Sequence, residues 1–589
     1  MFNKYYQDEL AYLRELGREF GRAYPALAPM LAGSGADPDV ERLLEGVAFL
    51  TGRIRQKLDD EMPEFVHSLA ALLFPHLVRP VPSASILEMK PIANALRGSQ
   101  IVPAGTEFAS VAVDGASCTF QSTTACELNP LAIESVRLEP LPGGQQQIAV
   151  VIRSTSGAPL ALASPEALRL HFTGEPQVAF GLLLAILRQL KDVTLSINPE
   201  GSERGGPTRE LSLGTQVLRW VGFEEDEGLL PMGRHVFPGF RLLEEYYVLP
   251  SKFAFVDVAD LRRVGEVDKE AQVATLCFRL ERPLPPSTRI SAQNVRLHCV
   301  PIVNVFQTTA DPIRPSPERE RFLVRVAGLP PSHGEVYAVT NVRAILRGSN
   351  ARATIPAFYE FAHGEAATNG FYTTHLSPSV TGDGADLSMS FGAPEGSGVF
   401  VDAETISIDL LATNRSVTRA LRPGDVSVHT ASSPAFVTFA NLTAVTPHVP
   451  PPLGRELQWR AVAHTATNLR SLTEPAVLRA ILEVYNLHAI VDRQAARANE
   501  LRVAAIRDVR VRPEERLYRG AAVRGVGIDV DLDEEGFSGD GDLFLFSAVL
   551  DRLLGERVSI NSFSHATFRG TRSKLEFRWP PRNGNLRLF

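Results

Sequence analysis

The hydrophobic period of this chain changes abruptly at a run of prolines, Pro75, Pro80 and Pro82. Ahead of that run, apolar side chains recur every three or four residues. Tyr6, Leu10, Leu13, Leu16, Phe20 and Tyr24 fall on one face of a helix expected over 3–24, which Pro25 closes. Asp37 is a natural N-cap, and Pro38 suits a first helical turn, where its missing N–H costs nothing. The stripe Val40, Leu43, Leu44, Val47, Leu50, Ile54 and Leu58 predicts a second helix from there, and a third is expected over 64–74. The first 82 residues therefore read as a helical arm.

Beyond the prolines the pattern alternates. Segments 168–173, 193–197, 253–258, 273–280, 336–346 and 405–411 read as strands parted by Gly, Pro, Ser and Asp turns. Helical spacing interrupts them at 177–191 and 240–247. A second proline cluster, Pro447 to Pro452, precedes helical patterns over 456–472 and 474–487, then strands, then a helix near 542–554. A chain of 589 residues exceeds the roughly 250–300 that one hydrophobic core sustains. The expected fold is α+β and multidomain: a helical arm (1–82), a β-rich domain with inserted helices (83–300), a second β-rich domain (301–450) and an α+β C-terminal domain (451–589).

Charge narrows the function. Sixty basic and 67 acidic side chains leave a net charge of −7, too weak and of the wrong sign for a counterion-releasing grip on nucleic acid. Only seven of the basic residues are lysine, a bias that the codon usage of a GC-rich genome explains more simply than arginine-specific chemistry. Four cysteines without a CxxC pair fit a reducing compartment. The opening MFNKYYQDEL is polar where a signal peptide needs an apolar core. The most apolar run, 178–187, is about half the ~20 residues a bilayer span requires. A soluble, cytoplasmic protein is expected.

Catalytic signatures are absent from the sequence: no GxSxG elbow, no GxxxxGK[ST] phosphate loop, no HExxH helix and no GxGxxG after an expected strand. Asp531, Asp533, Glu535, Gly536 and Asp542 imitate the one, three, five, six and twelve positions of a calcium loop. Position twelve is an aspartate, however, too short for easy bidentate reach, and 523–530 alternates like a strand where an entering helix belongs. An ordinary acidic connection is the better reading. His298 and Cys299 are adjacent, but two ligands do not make a tetrahedral site. The arginines of 493–519 are interrupted by Glu500, Asp508, Glu514 and Glu515, with Tyr518 the only aromatic among them, so they read as a solvated helix face and strand. No catalytic residue, cofactor, metal ion or small-molecule substrate is expected.

Several blocks, in order, resemble one family. YYQDELAYLRELGREFGRAYP and DPDVERLLEGVAFLTGRIRQKLDDEMPE lead to the exit PHLVRPVPS. GFRLLEEYYVLPSKFAFVDV, PIVNVFQTTADPI, ATNRSVTRAL, TATNLRSL and VLRAILEVYNLH follow, and SGDGDLFLFSAVLDRLLGERVSINSF closes the series. Together they resemble the TssF family (also called ImpG or VasA), baseplate subunits of the type VI secretion system. Gly555, Glu556 and Arg557 depart from it, standing where the family carries more apolar and aromatic side chains, and 461–467 is poorer in leucine.

The resemblance implies a structural role. TssF is similar to the wedge proteins of contractile phage baseplates. A pair of TssF copies is expected to join TssG, with TssE and TssK completing a wedge, and six wedges to surround the hub and spike. That baseplate docks on the inner-membrane complex and starts tube and sheath assembly and contraction. A tail protein of a phage-like particle and a multidomain polysaccharide-processing enzyme are the alternatives. Leu10, Leu13, Leu16 and Phe20 are the candidate partner interface; the same face could instead pack internally on Leu43, Val47, Leu50 and Ile54.

Overall fold

In the computed structural model, helix α1 spans Phe2–Ala23 and α2 spans Pro38–Leu73. Residues described are 2–24, 38–73, 75–92, 95–197, 209–231, 238–286, 288–316, 318–346, 352–358, 370–379, 384–392, 403–453, 473–518, 520–556, 558–573 and 575–584. The second and third helices expected from the sequence are one continuous helix of 36 residues that runs through Pro63. An interior proline forfeits one backbone bond, at roughly 3 kcal/mol. The apolar spacing of Leu58, Met62, Phe65, Leu69 and Leu72 nonetheless resumes across it unbroken. The helix expected over 456–472, and the leucine-poor 461–467 within it, lie outside the described residues.

The remaining long helices are α3 (Pro176–Arg188), α4 (Pro238–Val248), α5 (Pro475–Val484), α6 (Arg493–Ala504) and α7 (Asp540–Gly555). α7 is buried along nearly its whole length, as a helix apolar on all sides must be. It packs against α3 and α4, so the largest core draws together residues 131–297 and 478–579. Glu556, at the end of α7, is no packing defect: its carboxylate accepts from the Gly239 N–H at 2.5 Å, in the first turn of α4.

Around this centre the strands form separate sheets. A six-stranded antiparallel sheet runs Val426–Val428, Glu107–Ser110, Thr119–Ser122, Cys299–Val303, Ala84–Pro91, Val437–Asn441. Sheets of five and four strands built from residues 131–296 cover the centre. Residues 306–412 form a four-stranded and a three-stranded sheet of their own. In the latter, Ala385–Gly392 alternates strictly, with Ala385, Leu387, Met389 and Phe391 inward. Near the C-terminus Ala521–Leu532 pairs in parallel with Phe563–Gly570, and α7 supplies the crossover that parallel strands require.

Candidate assembly interface

α1 and α2 pack side by side as a two-helix arm. Their seam uses small residues. Ala48 and Gly52 are buried, and a Cβ on Gly52 would sit 3.3 Å from the Tyr6 backbone. Leu44, four residues before Ala48, is half-buried on the same line. Two ion pairs of 2.7 Å, Arg14–Glu41 and Arg55–Glu9, close the seam. Arg14–Glu41 is solvent-exposed and Arg55–Glu9 partly so, and pairs this open to water set register more than they stabilise.

This seam leaves the larger side chains outside. Leu10 and Leu13 are half-buried, while Leu16 and Phe20, further along the same stripe, are exposed by 42% and 45%. Phe20 lies against Tyr24, with ring centroids 4.7 Å apart and planes tilted by 36°. Leu43, Val47, Leu50 and Ile54 do not receive α1. They project to solvent, Leu43 with 67% of its surface exposed. The reason is steric: the helices approach through Leu44, Ala48 and Gly52, and that close approach turns the neighbouring stripe away. Among the described residues the arm therefore shows two apolar faces to solvent, and exposed apolar patches of this kind mark interaction surfaces.

The acids that imitate a calcium loop are dispersed among arginines. Asp531 meets Arg510 at 2.7 Å, and Asp533 meets Arg507 at 2.6 Å and Arg572 at 3.0 Å. Arg507 above all holds the Asp533 carboxyl below the usual range. Asp542 turns the other way, to Arg502 at 3.0 Å on α6. The segment entering the loop is the strand Ala521–Leu532, as its alternation predicts. Among the described residues no group of three or more His, Cys, Asp or Glu is placed to hold a metal ion.

The other candidates are likewise engaged. His298 Nε2 lies 2.9 Å from Asn129 Oδ1, and burial holds its pKa down at about 4. Burial pushes the Cys299 thiol well above its ordinary value, and Cys126 up to about 12, which leaves little reactive thiolate. Residues 493–518 are helix α6 followed by the strand Ile506–Tyr518. The arginines there face Glu500, Asp508, Asp529, Asp531 and Asp542.

Sequence reasoning passed over one cluster. Asn304 Nδ2 donates to Asn414 Oδ1 at 2.7 Å, and the Asn414 N–H donates to Asn304 Oδ1 at 2.8 Å, with both side chains buried. The available signal was Asn304 itself, an amide in the apolar run Ile302-Val303-Asn304-Val305-Phe306.

A multi-sheet body that presents an apolar two-helix arm to solvent has the build of an assembly subunit. The family model for "Type VI secretion system, TssF" matches residues 1–586. The type VI secretion system component TssF1 of Pseudomonas aeruginosa is 28% identical, covering 99% of this chain and 98% of its own. A chain in the cryo-electron microscopy structure of the TssK-TssF-TssG baseplate subcomplex superposes with a TM-score of 0.74 at 29% identity. The match covers 93% of this chain and 99% of that one. A chain of the type VI secretion system baseplate complex gives 0.61 at 27% identity, with full coverage of both. The chain belongs to the TssF family and is a structural baseplate wedge subunit of the type VI secretion system. Among the described residues no helix is long and apolar enough to cross a membrane.

Proposed function

We propose that this chain acts without turnover, as the wedge subunit that assembles with TssG and TssK through its N-terminal arm. The observation that carries the reading is the exposure of Leu16 and Phe20 on the same helical stripe where Leu10 and Leu13 are half-buried. A TssF chain complexed with TssK and TssG, covered over 99% of its length by this fold, supports the choice of partners. TssE, a second copy of this chain and the hub and spike complete the assembly in this reading. The wedge stands in the cytoplasm and docks on the inner-membrane complex.

The experiment is co-expression with TssG followed by pull-down. Burying a Leu or Phe contributes roughly 1.5–3 kcal/mol, so Leu16→Asp with Phe20→Asp should weaken the complex by about a hundredfold or more. The melting temperature of the isolated chain should stay unchanged, because both positions are exposed. A chain beginning at Ser83 that binds TssG as tightly as the full chain would show that the arm is not the contact.

A further inference from the structure

The main chain enters residues 306–412 once and leaves once, and the two crossings lie side by side. Phe306 pairs with Ala412 and Glu335 with Thr413, so Asn304 and Asn414 stand at the same edge of the same sheet. Between these crossings the segment has its own core. Met389, Ile406, Ile408, Leu410, Val342 and Ala344 are sealed from water in a cluster drawn wholly from residues 310–412. Among the described residues, Tyr337 is the one fully buried apolar side chain of the segment in a cluster of the body, with the partly buried Ala338 and Leu411 packed against that same cluster.

The polar ties to the body gather at that same edge. The paired amides of Asn304 and Asn414 are themselves fastened to the body: Asn304 Nδ2 donates to Thr119 O at 2.8 Å, and the Thr119 N–H donates to Asn414 Oδ1 at 3.1 Å. Arg415, buried and held at φ +52°, reaches back to Asp386 Oδ1 at 2.8 Å and Ala385 O at 3.1 Å. Across the junction His448 Nε2 and Glu335 Oε2 are in buried contact at 2.7 Å, both side chains 2% exposed, without meeting at hydrogen-bonding angles. Tyr337 donates to Pro231 O at 3.2 Å under the guanidinium of Arg79. α2 of the arm lies against the module's strand Phe371–Pro378.

We infer that residues 306–412 are a separately folding module that swings on the body about the Asn304–Asn414 crossing, with the Glu335–His448 pair as the latch that holds its orientation. The chain enters from the strand Cys299–Val303 and leaves into the short helix Arg415–Ala420, two connections side by side, the arrangement by which hinged domains move without unfolding. The clasped amides keep the crossings in step, and the buried left-handed Arg415 marks where the backbone turn is concentrated. Because α2 touches the module, a partner drawing on the arm has a route to the module that does not pass through the main core.

Distances between spin labels in the full chain test this. Leu323 in the module and Val111 in the body are exposed, and all four native thiols are buried, so Leu323→Cys with Val111→Cys labels two sites selectively. The parent should give one narrow distance distribution. Asn414→Ala and His448→Ala should each broaden it, about twofold or more, for a hinge freed of its clasp or latch. Hydrogen exchange of Phe544 to Leu554 should stay as slow as in the parent. Distributions as narrow as the parent's in both variants would overturn the hinge. Simultaneous loss of exchange protection in Ala385–Gly392 and in α7 would overturn the separate module, since it would show one cooperative unit.

Discussion

Gly541 lies against the backbone of Phe180, so close that a Cβ on it would fall 2.2 Å from the Phe180 carbonyl. This is the crossing of α7 on α3, and it fixes how the C-terminal part enters the main core. A methyl group cannot fit without pushing two buried helices apart. Gly541→Ala should therefore destabilise by about 2–3 kcal/mol despite alanine's better helix propensity. Chemical denaturation of the full chain measures this; an unchanged midpoint would mean the crossing is looser than the backbone shows.

Lys252 and Glu245 form an ion pair closed off from solvent on both sides. Glu245 Oε1 also accepts from the N–H of Leu229 at 2.6 Å and of Leu230 at 3.2 Å. Burial drives the Lys252 pKa down, and the Glu245 carboxylate opposes it. Lys252→Met leaves that carboxylate buried without its cation, which should cost about 3–5 kcal/mol. Adding Glu245→Gln should recover most of the loss, since a neutral amide still accepts from Leu229 and Leu230. Equal destabilisation in the single and double variants would count against the pair.

Acid should unfold the protein through buried histidines. Burial lowers the pKa from 6.5 to about 4 for His76, with Arg79 adding to it, to about 3 for His171 and to about 4 for His298. A depressed folded pKa means that the unfolded chain binds more protons between the two values. Stability is therefore full above pH 6.5 and falls as the pH drops toward 4. At pH 5 each group costs about 2 kcal/mol, and three together are a large part of a typical 5–15 kcal/mol. Melting temperature should drop steeply from pH 7 to pH 5. His171→Phe, beside the Phe255 ring, should flatten that slope; an unaltered slope would remove His171 from the explanation.

Calcium should leave the protein unaffected. Asp531 and Asp533 are occupied by Arg510, Arg507 and Arg572, and Asp533 also accepts from the Glu535 N–H at 3.3 Å as the cap of a short helical turn. Excess calcium should not shift the melting temperature of the native protein. Replacing both acids with alanine should lower that temperature without changing metal content. An ion found in the native protein and lost from the variant would reverse this reading.

Much of the local architecture was legible in the chain. Tyr6 to Tyr24 recur at helical spacing, and α1 forms there. Alternation at 273–280 and 336–346 becomes the strands Val273–Leu280 and Glu335–Leu346. Such periods reflect only the geometry of a chain with its own neighbours, 3.6 residues per turn or two per pleat, and need no knowledge of distant residues.

The tertiary structure decided what meets what. Leu43, Val47, Leu50 and Ile54 offered the internal alternative for the α1 stripe by spacing, yet α1 sits on Leu44, Ala48 and Gly52, because small side chains let two backbones come closest. Gly541 owes its lack of a side chain to the Phe180 backbone, which nothing in its own neighbourhood of the sequence announces. Asn304 and Asn414, 110 positions apart, satisfy one another only where two strands leave the same sheet. A residue's period belongs to its neighbours in sequence; the surface it buries depends on which other backbone can approach it, and no local pattern carries that.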